Sequence, residues 1–295
     1  MKDIDIKNFP KYFLDKLILK EKDINSKLKL PMISVVMPCF NQVEYIEKSI
    51  LSVLNQNYPQ IELIIIDGGS KDGTVDIIKK YDSYINYWIS ENDGGQSDAL
   101  NKGFKVCKGE ILCWLNSDDL YLPGALSSAA ELLSNNKEKK ICYGDWISID
   151  KNEKTIDTHY AFDVSINQLK YEGFHFNAQS FFWRKDVHKN FSGFDIKLNK
   201  TMDYQMMLEF ALEQSESSFI RINKVLAAFR RYPSQKTGNY NLEEHLEHKY
   251  LSSRYGYEDK YHVIGKVKKF FFRCRRAIWY FKRGGVKEFV KRLFK

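Results

Sequence analysis

Glu62-Leu63-Ile64-Ile65-Ile66-Asp67-Gly68-Gly69-Ser70-Lys71-Asp72-Gly73-Thr74 decides how this chain is read. The β-branched apolar run Ile61–Ile66 breaks off into small and acidic residues, the pattern of a buried strand ending in a tight loop. Thr74 then caps a helix running to about Tyr81. The same pattern recurs on both sides. Ile33–Met37 is a short apolar strand stopped by Pro38. Residues 43, 46, 50, 53 and 54 are apolar at helical spacing. Tyr87–Ser90 reads as a third strand, Gln96–Val106 as a helix, and Glu110–Leu115 as a fourth strand. Strand and helix alternate through short connections, which predicts a parallel sheet with helices on both faces.

Beyond Pro123 the alternation loosens. Strands are expected at Lys140–Ile149, Lys154–Tyr160, Gln179–Arg184, Phe219–Ile222 and Val225–Arg231, with helices near 185–190 and 203–213. Residues 1–30 are polar and Lys-rich, with helical spacing at Phe13, Leu14, Leu17 and Ile18; they read as a leader helix and linker. The globular pattern spans 31–238, and 239–295 form basic C-terminal helices.

Charge sharpens this division. The net charge of +8 belongs to the end of the chain, because 262–295 hold 12 Lys/Arg against Glu288 alone, leaving 34 basic and 37 acidic residues before it. A slightly acidic body speaks against a nucleic-acid-binding protein. In the tail, Val263, Ile264, Val267, Phe270, Phe271, Cys274, Ala277, Ile278 and Phe281 share one helical face among Lys and Arg. Gly284-Gly285 is expected to break this helix, and Val286, Phe289, Val290, Leu293 and Phe294 to begin another. Such a surface suits an anionic membrane leaflet; it equally suits a hairpin packed on the body of the protein. No run of 18 apolar residues spans a bilayer. The five cysteines form no metal-ligand spacing, and with no signal-peptide pattern they indicate a reducing cytosol.

The chemistry concentrates at the strand ends, where ligands of open α/β sheets bind. Asp67 stands past the second strand beside glycines that let a backbone approach a ligand, although Asp-Gly is also a common turn pair. Asp118 and Asp119 place two adjacent carboxylates after Ile111–Leu115, which suits Mg²⁺ or Mn²⁺ with positions left for water and phosphate. An exposed acidic turn is the plainer alternative. No GxxxxGK[ST], GxGxxG after the first strand, HExxH or GxSxG is present, so ATPase, dehydrogenase, zinc-protease and serine-hydrolase readings lose their support.

Together these segments resemble the family 2 inverting glycosyltransferases of the GT-A fold, a Rossmann-like mixed sheet. The resemblance rests on Ile33-Ser34-Val35-Val36-Met37-Pro38-Cys39-Phe40-Asn41, on Ser49…Gln56-Asn57-Tyr58-Pro59…Glu62–Thr74, on Ser90-Glu91-Asn92-Asp93-Gly94-Gly95-Gln96-Ser97-Asp98-Ala99-Leu100-Asn101-Lys102-Gly103, and on Gly109-Glu110…Trp114-Leu115-Asn116-Ser117-Asp118-Asp119. It covers about 31 to 238, with a nucleotide-binding half at 31–120 and an acceptor half at 121–238.

By this resemblance Pro38, Phe40 and Glu44 line the nucleotide, Asp67 hydrogen-bonds the base, and Asp93 sits at the rim. Asn116 stands where the family usually has an acidic residue, so it contacts ribose without bringing charge. Asp118 is the expected metal ligand and Asp119 its helper, for Mn²⁺ or Mg²⁺. Met202-Asp203-Tyr204-Gln205 matches the motif of the catalytic carboxylate, with Asp195 as the nearest rival. A carboxylate is needed there because a sugar hydroxyl must lose its proton as it attacks C1; a helix N-terminus also favours an acidic residue without catalysis. Arg230, Arg231 and Lys236 fall where related enzymes carry a flexible basic segment that closes on the diphosphate. His175 and Gln179 resemble a polar pair near the donor sugar or acceptor.

The resemblance implies a metal-dependent transferase. It would move sugar from a nucleotide-diphospho-sugar, UDP-linked by family habit, to a glycan or lipid-linked acceptor in surface-polysaccharide or lipopolysaccharide synthesis. The tail would place it at the inner face of the cytoplasmic membrane. Two other classes stay open: a sugar nucleotidyltransferase, whose glycine-rich phosphate loop is absent, and a non-catalytic nucleotide-sugar-binding protein, which Asn116 keeps in play.

Overall fold

The computed structural model describes residues 13–17, 30–172, 177–236, 242–257 and 263–293. Its first part follows the expected alternation: β1 (Ile33–Cys39), α1 (Ile46–Leu54), β2 (Ile61–Asp67), α2 (Thr74–Lys80), β3 (Tyr87–Ser90), α3 (Gln96–Val106) and β4 (Ile111–Trp114). β1 pairs in parallel with β2 and β4, and β2 with β3. All seven β1 residues are buried, as a parallel strand covered on both faces requires.

β1 does not stop at Pro38 but runs through it to Cys39. The β1–β4 ladder ends at Val36 and Trp114, with the Leu115 N–H on the Val36 carbonyl, while the Gly68 N–H meets the Cys39 carbonyl on the β2 side. Alternation along the strand turns the Pro38 nitrogen toward the side the ladder has already left. A residue without an N–H is harmless there.

The second part adds β5 (Leu120–Tyr121), α4 (Ala125–Asn135), β6 (Ile141–Ile149), β7 (Thr155–His159), α5 (Ile166–Glu172), β8 (Phe181–Arg184), α6 (Lys185–Lys189), α7 (Met202–Glu213) and β9 (Phe219–Arg230). One nine-stranded mixed sheet runs through both parts in the order β3-β2-β1-β4-β8-β6-β9-β5, with β7 on β6. The two strands expected at 219–222 and 225–231 are a single β9. Its pairing with β6 shifts register around Asp145, and this irregularity absorbs the polar Asn223-Lys224 without ending the ladder.

Apolar side chains cover both sheet faces. Ile46, Ile50 and Val53 of α1, Ile78 of α2, and Leu126 and Leu133 of α4 share one cluster. Leu100 and Phe104 of α3 and Met206, Met207 and Phe210 of α7 share the other. A Cβ at Gly103 would overlap Val36, so the glycine lets α3 lie close on β1.

α8 (Leu242–Arg254) and α9 (Val263–Leu293) complete the described chain. α9 continues through Gly284-Gly285, contrary to the expected break; each glycine costs a helix about 1 kcal/mol, less than is needed to end one. The tail is one helix laid along the body. Arg276 pairs with Glu172 at 2.9 Å, Lys268 Nζ donates to the Tyr171 hydroxyl at 2.9 Å, and the Tyr280 hydroxyl meets both the amide and the carbonyl of Tyr160 at 3.1 Å. Phe13–Leu17 forms turns, with its Phe13 and Lys16 carbonyls accepting from Asn55 Nδ2 at 2.7 and 2.9 Å. The rest of the expected leader helix lies outside the described residues.

Candidate active site

The carboxyl ends of β1 to β4 lie side by side, with Cys39 opposite Asp67 and Asp67 opposite Ser90. The loops after β1 and β2 are stitched together. The Asn41, Gln42 and Val43 amides donate to Ser70 Oγ, Thr74 Oγ1 and Asp72 Oδ2 at 2.7, 2.8 and 3.0 Å, and Lys71 N–H returns a bond to Asn41 Oδ1 at 3.0 Å. Asp72 also takes the Thr74 N–H at 3.0 Å; Thr74, expected to cap α2, is instead its first residue, with Gly73 at the cap position and no side-chain cap bond. Phe40, 60% exposed, and Glu44 stand on the rim, while Pro38 is buried.

Asp67 has no exposed surface. Its Oδ2 accepts from the Gly69 and Ser70 amides at 3.1 and 2.9 Å and from Ser90 Oγ at 2.6 Å, and its Oδ1 accepts from Ser70 Oγ. Gly69, at φ +84°, makes this fold-back possible, since a side chain there would meet Asn92 Oδ1 at 2.5 Å. Asp93 faces the same loop from α3's approach. It is half-buried, accepts the Gly95 N–H at 2.8 Å, and has its pKa raised by burial.

The Asn116–Asp119 loop is held from several sides. Ser49 Oγ lies 2.9 Å from the Ser117 carbonyl and 2.8 Å from that of Asp119. Asn116 accepts from Gln96 Nε2 at 2.8 Å and donates to Asp119 Oδ2 at 3.2 Å. Asp119 is fully buried, with its Oδ1 on the Arg230 N–H at 2.8 Å. Asp118 is partly exposed, and its Oδ2 accepts from the Tyr232 hydroxyl at 2.8 Å. Burial is the chief cause that raises the pKa of both carboxyl groups, and for Asp119 the charge of Asp118 adds to it.

Arg230 is buried at the end of β9 rather than on a mobile segment. Its Nε donates to the Asp118 carbonyl at 2.9 Å and one terminal nitrogen to the Lys151 carbonyl at 3.2 Å; the guanidinium lies 4.7 Å from the Tyr45 ring centroid and has no exposed surface. Arg231 is exposed.

Asp203 is half-buried in the first turn of α7 and accepts the Tyr204 N–H at 2.8 Å. Desolvation pushes its pKa up to about 6, with Lys236 pulling the other way. Lys236 also reaches Gln96 Oε1 at 3.3 Å, and burial lowers its own pKa. Lys236, Gln96 and Asn116 thus link the base candidate to the carboxylate loop. Asp195, the rival, is engaged elsewhere, by Tyr250 at 2.8 Å and Arg254 at 3.4 Å. Gln179 is buried in the turn before β8. His175 lies outside the described residues.

Among the described residues no three His, Cys, Asp or Glu side chains gather as a metal cluster. The donor chemistry still fits a hard divalent ion. Asp118 presents a poorly solvated carboxylate beside a second one, with no ion pair on either among the described residues, and a Mg²⁺ or Mn²⁺ held there would take its remaining ligands from phosphate and water. Tyr232 and Ser49, both within the quoted motifs or beside them, carry contacts that sequence reading did not assign.

The glycosyl transferase family 2 model matches residues 34–195. An uncharacterized glycosyltransferase of Rickettsia typhi is 32% identical over 216 residues, covering 70% of this chain and 66% of that protein. The chain spans only 18% and 23% of similarly named proteins of Rickettsia bellii and Rickettsia felis. Among solved structures, S. aureus TarS 1–349 in complex with UDP-GlcNAc aligns with a TM-score of 0.60 at 14% identity, over 89% of this chain and 90% of that one. The mannosyltransferase PcManGT of Pyrobaculum calidifontis, in complex with GDP-Man and Mn²⁺, aligns at 0.58 and 13%, over 89% and 74%. The fold is GT-A.

Proposed function

The chain belongs to glycosyl transferase family 2, and from that premise we propose that it moves a sugar, with inversion, from a nucleotide-diphospho-sugar to an acceptor hydroxyl. A UDP-sugar is the donor this reading favours, in keeping with the UDP-GlcNAc bound by TarS. The carrying observation is that Asp203 is linked to the Asn116–Asp119 loop: Lys236, whose charge acts on Asp203, reaches Gln96, Gln96 donates to Asn116, and Asn116 donates to Asp119 beside Asp118.

In this reading the nucleoside lies between Phe40, Glu44 and Asp93, over the loop that Asp67 shapes. Asn116 meets the ribose. Arg231 and Lys236 contact the diphosphate, while Arg230 braces Asp118 from behind. Asp118, with Asp119 beneath it, would hold Mn²⁺ or Mg²⁺, which stabilises charge on the leaving diphosphate when bound. Asp203 takes the proton of the acceptor hydroxyl as its oxygen bonds to C1, and the C1–O bond to the diphosphate breaks with its electron pair. A carboxylate with a pKa pushed up to about 6 is a stronger base than an ordinary Asp and is still ionised at neutral pH. Gln179 and His175 would serve the donor sugar or the acceptor.

The acceptor we propose is a glycan or lipid-linked sugar of surface-polysaccharide synthesis at the inner face of the cytoplasmic membrane. Support comes from α9. Its body-facing side is anchored, while Val267, Phe270, Phe271, Ile278, Phe281 and Val286 are exposed beside Lys266, Arg275 and Lys282. No helix among the described residues is long and apolar enough to cross a membrane. This helix would therefore lie flat on an anionic leaflet.

Asp203→Asn should abolish sugar transfer while the protein still shows a thermal shift with UDP and Mn²⁺. Retained transfer would remove Asp203 as base, and no response to any nucleotide would remove the donor reading. Deleting 262–295 should release the protein from anionic liposomes; unchanged binding refutes the docking surface.

A further inference from the structure

The helix that carries Asp203 has an unusual cap. A helix start leaves four N–H groups without partners, commonly met by a Ser, Thr, Asp or Asn at the cap position itself. Thr201 occupies that position and its side chain makes no such bond. Its hydroxyl donates instead to Glu247 Oε2 at 2.8 Å, on α8. The same carboxylate accepts the N–H of Asn199 at 2.7 Å, of Lys200 at 2.9 Å and of Thr201 at 2.9 Å. Four donors therefore converge on one buried carboxylate 46 to 48 residues further along the chain.

Burying a carboxylate is costly unless it is fully bonded, and charge-assisted bonds of this kind are the strong ones. α8 grips the same loop twice more. Glu243 accepts from Asn199 Nδ2 at 3.0 Å, and Tyr250 and Arg254 hold Asp195 at its other end. The loop in turn touches the segment after β9, where Lys200 Nζ donates to the Lys236 carbonyl. That segment also carries Tyr232, on Asp118. α8 thus acts as a splint between the two carboxylates the reaction needs.

We propose that Glu247 is a positioning residue for Asp203, fixing the height and direction of the base by holding the three amides that precede its helix. This rests on the reading of Asp203 as the base. The charged groups that act on Asp203 are Lys236 from the segment after β9 and Glu244 on α8, and Lys236 in turn feels Lys200, Glu247 and Glu243. Without Glu247, three amides and a hydroxyl lose their partner. The loop then relaxes and water reaches Asp203, which favours its ionised form.

The test uses full-length Glu247→Ala and Glu247→Gln proteins, with UDP-GlcNAc as the first turnover probe. Amide exchange at 199–201 should quicken at least about tenfold in the Ala variant. The Asp203 carboxyl, followed by NMR, should titrate lower than in the wild type. Turnover should fall about 10- to 100-fold with donor KM little changed, the scale expected when a base is misplaced by about an ångström. Gln, which keeps one acceptor oxygen, should recover part of each. Unchanged exchange and titration in both variants would overturn the proposal, as would a loss confined to thermal stability and donor KM. Exchange and titration need no turnover. An active Asp203→Asn protein would therefore refute the base itself without being confused with failure of the clamp.

Discussion

Asp67 and Asp118 each follow a buried strand of the same sheet, yet they are used in opposite ways. Asp67 spends its carboxylate on its own loop and the next strand, accepting from Gly69, Ser70 and Ser90 with no surface left exposed. Asp118 takes its one side-chain bond among the described residues from Tyr232, 114 positions away, and remains partly exposed. The first is a local device that shapes a pocket floor. The second belongs to a site assembled across the sheet, in a poorly solvated place that raises its pKa. The contrast separates a carboxylate bonded within its own loop and the next strand from one held across the sheet.

Replacing each carboxylate should break this symmetry in different observables. Asp118→Ala should lower transfer about 10³-fold, since stabilising a leaving diphosphate is worth several kcal/mol. Its melting temperature should stay the same or rise, because a desolvated charge is removed. A chelator should mimic it in the wild type and add nothing in the variant. Asp67→Asn should do the reverse, costing about 2 kcal/mol of stability, as an amide turned toward N–H and O–H donors leaves them unmet. Loss of activity in that variant should track loss of folded protein in denaturant titrations. A stable but inactive Asp67→Asn would show that Asp67 serves the nucleotide directly.

The smallest effect concerns pH. Asp203 must be ionised to accept a proton, so kcat/KM should fall as pH drops below about 6, approaching tenfold per unit. Stability runs the other way. The folded pKa lies above the ordinary value of 3.8, so the group's contribution to stability is lost as pH rises from about 4 through 6. Asp203→Asn should therefore raise the melting temperature more at pH 7.5 than at pH 4. Equal shifts at both values would mean that the carboxyl is not held in a desolvated place.

Much of the first half was legible because its order is local. Apolar runs and glycine-rich breaks located β1 to β4, and the bounds of β3 and α3 match the expected ones. The misreadings came where neighbours in space overrode a local signal. Pro38 reads as a stop, but the ladder on that side has already ended at Val36 and Trp114. Asn223-Lys224 looked like a gap, but pairing with β6 carries β9 across it. Gly284-Gly285 looked like a break, yet the helix persists. At the site, Arg230 looked like a surface cation because nothing in its neighbours reveals that β9 delivers it beneath Asp118. Glu247 carried no signal at all, being one acidic residue in an exposed-looking helix.

The amino-acid sequence alone determined the strand–loop–helix order and the chemical kind of each strand-end residue, since periodicity and turn chemistry act over a few positions. Only the tertiary structure decided which carboxylates are bonded locally and which across the sheet. It also decided that the tail is a single anchored helix and that the loop leading into the helix of Asp203 is held by α8. Those outcomes depend on burial and on partners some 50 to 110 residues apart, and no local pattern encodes which side chains will meet when the sheet closes.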